Sequence, residues 1–171
     1  VRRLAMEFGC QYLHVRDVAT LDEKSERHFP SFHAVREAMQ EEVARFYVDL
    51  FQKDRSVLAL LDADYTFLNK SLADHYEIPF DGHDWQRVDG IRKYGRGGAL
   101  GFAAALAKHS GASRTSAILR GTWVSEVLLG DRIPNPPQGV PTLPDEAPEG
   151  LSERQSIERH SSDARCAGCH K

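Results

Sequence analysis

The sequence predicts a mainly α protein: a multi-helix bundle with a proline-rich strap and a C-terminal segment built on two cysteines and a histidine. Three observations predict it. Apolar residues recur at three- and four-residue spacing along most of the chain before the strap, the period of a helix with one buried face. Six of the eight prolines lie between Pro134 and Pro148, where they forbid helix and central strand alike. The chain then runs into Cys166-Ala167-Gly168-Cys169-His170, too dense in metal-binding chemistry to be a packing solution.

The elements follow in order. Residues 1 to about 18 carry Leu4, Phe8, Tyr12 and Val15 as a helical stripe, with Arg2, Arg3, Glu7 and Arg16 around it. His14 beside that stripe reads as a surface or hydrogen-bonded histidine. Leu21 to Phe29 is charged and mixed, and Pro30 ends it, so a loop or one short turn is expected. From Ser31 to about Lys53 a continuous face of Phe32, Val35, Met39, Val43, Phe46, Leu50 and Phe51 predicts a long amphipathic helix. Ser31 is its expected cap, and Arg36, Glu37, Gln40, Glu41, Glu42 and Arg45 are its expected solvated side.

A short helix over Val57 to Leu61 comes next. Asp62-Ala63-Asp64 lacks the glycine and terminal glutamate of a calcium loop, which excludes that reading. Tyr65 to Tyr76 reads as a helix ended by Pro79, and Phe80 to Gly95 as a loop holding a short strand around Trp85 to Asp89. His75 and His83 in this region read as polar surface. After Arg96-Gly97-Gly98, an alanine-rich helix over Ala99 to Lys108 must pack close to a neighbour. Gly111 to Ser116 is a turn rich in capping hydroxyls, followed by a helix on Ile118, Leu119, Trp123, Val127 and Leu128 that ends at Gly130. Helix starts at Arg96-Gly97-Gly98 and Ser113 to Ser116 have the chemistry to hold a carboxylate, but ordinary capping is the preferred reading. Leu151 to Arg159 is a last, polar helix.

Composition narrows the function. With 171 residues and 41% hydrophobic content, the chain can bury one ordinary core or two small ones. A net charge of −3 gives no electrostatic reason to invoke nucleic acid or an anionic membrane surface. The most apolar stretch, Ala99 to Ala107, is too short to cross a bilayer, so no transmembrane segment is expected in this chain. Only three cysteines occur, two of them in the motif, which implies no disulfide framework; Cys10 reads as a small buried hydrophobe. The chain opens on Val1 inside a helical pattern and stops one residue after His170. Both ends read as cut, so the rest of a longer polypeptide is expected on both sides and the lack of a visible signal peptide says nothing about export.

If the motif is helical, Cys166, Cys169 and His170 share one face. Two thiols so placed can add to the vinyl groups of a porphyrin, and the imidazole then becomes an axial ligand of the iron. Covalent haem c, with Cys166 and Cys169 as anchors and His170 as the proximal ligand, is the leading reading. Zinc is the alternative, with His160 as a fourth ligand; a redox dithiol is a third. His160 is also the in-chain candidate for the second axial ligand of a haem, although a residue after Lys171 is preferred. Ser110, Ser113 and Ser116 lie near His109 but without a Gly-x-Ser-x-Gly elbow, so no catalytic triad or substrate site is recognisable.

Several runs carry a family resemblance: Leu61-Asp62-Ala63-Asp64-Tyr65-Thr66-Phe67-Leu68-Asn69, Leu72 to Pro79, Arg96-Gly97-Gly98, Ser113-Arg114-Thr115-Ser116 and Leu119-Arg120-Gly121-Thr122-Trp123-Val124. With the proline strap and His160 before the motif, they resemble the large planctomycete-type cytochrome c domain proteins across nearly the whole chain. Glu77 stands where that family usually has glycine, and Ala117 where it commonly has proline. The resemblance implies a domain of unknown function in the C-terminal part of a longer exported, periplasmic protein, with haem c, an electron-transfer role and an unidentified redox partner. The chain would then be a fragment of such a protein, possibly including the electron outlet of a larger oxidoreductase. The alternative is a non-catalytic helical binding or scaffold module whose Cys/His cluster binds zinc or nothing. The expected organisation is a helical domain over 1–92, a small helical domain over 93–133, a linker or strap over 134–150, and the truncated start of a cytochrome c-like segment over 151–171.

Overall fold

The computed structural model describes residues 1–135, 138–139, 150–163 and 167. It contains two compact units, Val1–Asp131 and Arg132–Lys171. Among the described residues, helices dominate the first unit, the second holds one helix, and the sheet has two strands.

The first unit opens with helix α1 (Arg2–Leu4), which passes directly into a π-helical stretch, Ala5–Cys10. The expected apolar stripe is on the wrong side: Leu4 is 52%, Phe8 54% and Tyr12 39% exposed, and of the four only Val15 is buried. Ala5, Gly9, Cys10 and Leu13 face inward instead. The cause is a close approach. A Cβ at Gly9 would lie 2.4 Å from the Tyr47 ring, so only small residues let this helix reach its neighbour. The π-helical stretch, with its i→i+5 bonds, also shifts later positions off the 3.6-residue period.

That neighbour is α2 (Phe32–Gln52), the spine of the unit. Its predicted apolar face is buried as the spacing requires, with Phe51 half-buried at its edge. Two expectations fail on it. Ser31 makes no side-chain capping bond, because its backbone (φ −87°, ψ −10°) is already helical rather than extended. Gln40 and Glu42 are buried, not solvated. Gln40 accepts from the Ala19 N–H at 3.1 Å and donates to the Arg16 carbonyl, fastening the loop that precedes the helix.

After α3 (Ala59–Asp62), the helix expected over Tyr65 to Tyr76 proves to be two elements: β1 (Tyr65–Leu68) and α4 (Lys70–His75). Tyr65, Thr66 and Phe67 are strand-favouring residues, and Asn69, extended at φ −112° and ψ 177°, accepts from Leu72 N–H at 3.0 Å and starts the helix afresh. β2 (Gln86–Asp89), the strand expected near Trp85, pairs antiparallel with β1, setting Tyr65 against Asp89 and Leu68 against Gln86. Asp64 locks the far end by accepting from the N–H groups of Gly90 at 2.7 Å and Arg92 at 2.8 Å. Glu77, at the resemblance's glycine position, has φ 56°, the left-handed backbone that glycine adopts without strain.

The alanine-rich helix is also split. Phe102 is extended (ψ 127°) between α5 (Gly98–Gly101) and α6 (Ala103–Lys108). Phe102 lies edge-on to Phe46, 5.2 Å between centroids, and Phe46 stacks on Tyr65 at 5.2 Å; this aromatic trio joins α2, β1 and the α5–α6 corner. The close packing expected of the small residues is real: a Cβ at Gly98 (φ +59°) would sit 2.6 Å from the Leu60 carbonyl oxygen. Ser116 caps α7 (Ala117–Trp123) by accepting from Leu119 N–H at 3.2 Å, and a π-helical stretch, Val124–Leu128, extends it.

In the second unit, α8 (Glu153–Ser162) begins with a reciprocal capping box between Ser152 and Gln155. No helix among the described residues is long and apolar enough to cross a membrane.

Candidate functional site

Cys166, Cys169 and His170 lie outside the described residues, as do Arg165 and most of the proline strap. The chain is described from Gly150 to Asp163 and again at Ala167. His160 is half-buried in the last turn of α8, and the Ala167 N–H, inside the motif, donates to the Asp163 carbonyl at 2.8 Å. Among the described residues, no group of three or more His, Cys, Asp or Glu is arranged to hold a metal ion. The donor set of the motif itself, two thiols and an imidazole, fits covalent haem attachment.

The first unit contains two further concentrations of chemistry. One is a sealed polar hub around Glu42, which is 1% exposed. Thr66 Oγ1 donates to its Oε1 and Tyr76 Oη to its Oε2, both at 2.5 Å; Tyr76 Oη in turn accepts from the Ala103 N–H at 2.9 Å. That last bond satisfies a donor at the start of α6 that no helix turn can satisfy. Burial pushes the Glu42 carboxyl up to about 7, against the pull of its two hydroxyl partners and the Arg96 charge. Tyr76 is raised by burial and then by Glu42. The Arg96 guanidinium lies 4.1 Å over the Tyr76 ring. No solvent reaches this carboxyl, so its work is to join α2, β1, α4 and α6.

The other is a cavity of about 290 Å³, floored by apolar side chains including Phe29, Phe32 and Leu106 and ringed by Lys24, His28, His75, Arg96 and Arg120. Lys24 is 4% exposed, and its Nζ donates to the carbonyls of Ser110 at 2.7 Å and Gly111 at 3.1 Å. Burial lowers the pKa of Lys24, of Arg120 and, together with the Arg96 charge, of His75.

Residues 1–78 match the model of PSD4, a protein of unknown function (DUF1592), and residues 96–171 match PSCyt3, a protein of unknown function (DUF1588). The two matches lie on separate stretches of the chain, each a little under half of it. No curated protein and no solved structure matches it. The PSCyt3 stretch begins inside the first unit, and the hub crosses between the two matches: Glu42, Thr66 and Tyr76 fall in the PSD4 stretch, Arg96 and Ala103 in the PSCyt3 stretch. The cavity crosses in the same way, with Lys24 and His75 on one side and Arg96 and Arg120 on the other.

Sequence reasoning placed Glu42 on the wrong face, although a signal was present. Val35, Met39, Glu42 and Phe46 follow one another at four, three and four residues, one stripe of α2. Lys24 gave no signal, since its loop has no period.

Proposed function

We propose that this chain is part of an exported haem c protein with an electron-transfer role. Cys166 and Cys169 are the covalent anchors and His170 the proximal iron ligand. One observation carries the reading: the resemblance to planctomycete-type cytochrome c domain proteins runs into Cys-x-x-Cys-His, which lies within the stretch that matches PSCyt3. Bound haem would supply one-electron chemistry. The chain's own part is to tether the ring through two sulfurs, which prevents its loss, and to set the potential through the imidazole.

The test is co-expression of the full chain with periplasmic haem c maturation machinery. The expected product has a sharp reduced α band that survives acid-acetone extraction and disappears in Cys166→Ala/Cys169→Ala. A colourless product with stoichiometric zinc overturns the reading in favour of a non-catalytic helical module.

A further inference from the structure

The cavity in the first unit is lined by three cations, Lys24, Arg96 and Arg120. Its three cations come from separate stretches of chain, and each is held by neutral carbonyl oxygens: Lys24 as described, Arg96 by Gly101 at 3.2 Å and Arg120 by Leu106 at 3.2 Å. No aspartate or glutamate is among the described residues that line the cavity. Glu23 and Glu42 lie near these cations, and neither cancels their charge. Glu23 is 3.8 Å from Lys24 Nζ but its side chain is 62% exposed, where water screens it. Glu42 is sealed in the hub and holds a proton up to about pH 7.

Cations around an apolar floor are the complement of one ligand class. We propose that this cavity binds a small organic acid, its carboxylate engaging Arg120 with Lys24 and Arg96 beside it and its hydrocarbon body lying on Phe29, Phe32 and Leu106. A guanidinium fork matches a carboxylate's two oxygens, and the apolar floor favours a tail over a bare ion. The volume is at the lower end of ligand cavities, about 300 Å³, which limits the body to a short chain or single ring. The site is independent of haem attachment and is built wholly from residues of the first unit.

The test titrates the full chain with hexanoate, hexanol and inorganic phosphate by calorimetry, and follows the arginine Nε–H signals by NMR, with that of Arg120 assigned by its loss in Arg120→Lys. Hexanoate is expected to bind roughly tenfold or more tightly than hexanol, the worth of a charge-assisted hydrogen bond, and to shift the Arg120 signal. Ala107→Phe, which fills the cavity and leaves every cation in place, is expected to abolish binding with the helical circular dichroism kept. Equal affinity for hexanol, preference for phosphate over hexanoate, an unmoved Arg120 signal or undiminished binding by Ala107→Phe each overturns the proposal. The wild-type signal decides the matter even if the filled variant fails to fold.

Discussion

A carboxyl pressed between Thr66 and Tyr76 with 1% of its surface exposed has lost nearly all its hydration, and its proton affinity records that loss. Glu42 titrates at about 7 in the fold against 4.5 when free. Between those values the folded chain keeps a proton that the unfolded chain releases. Stability from this group is therefore full below pH 4.5, falls as the pH rises towards 7 and is level above; the total is about 3 kcal/mol. His75 and His109, lowered by burial, act in the opposite sense, because there the unfolded chain holds more protons. The difference between wild type and Glu42→Gln isolates the carboxyl. Urea unfolding from pH 4.5 to 7.5 should show wild type losing stability relative to the variant by that amount, and a constant difference would refute the assignment.

At the scale of elements, glycine marks where two backbones come closest. Gly98 is left-handed and faces the Leu60 carbonyl, whereas Gly130 is left-handed (φ +73°) with nothing within 4 Å of a Cβ. Gly98→Ala should thus cost about 2–4 kcal/mol, and Gly130→Ala only about 1 kcal/mol, in urea unfolding. α2 was legible because its apolar period runs unbroken from Phe32 to Leu50. β1 was not, since four residues joined without a gap to Asn69 and α4 imitate one helix. The first stripe misled because Gly9, with no side chain to count, set which face was buried. For the sites, the Cys/His motif declared itself by residue type alone. The cavity could not, because Lys24, Arg96 and Arg120 converge only through tertiary packing.

At the scale of the whole molecule, every buried apolar side chain among the described residues lies at or before Trp123, so the first unit holds a core of its own. Both tryptophans, Trp85 and Trp123, belong to it. A chain ending at Asp131 should keep a single cooperative unfolding transition and the tryptophan emission of the full chain; emission at the unfolded wavelength would show that the core needs the remaining residues. The same core shelters Cys10, fully buried with its sulfur 3.9 Å from Met6 Sδ and its thiol pushed up to about 12. A sulfhydryl so placed neither ionises near neutrality nor meets an alkylating reagent or a passing oxidant. Cys10 therefore takes no part in mispairing with Cys166 or Cys169 in the folded chain, and whatever captures that pair meets no competition from it.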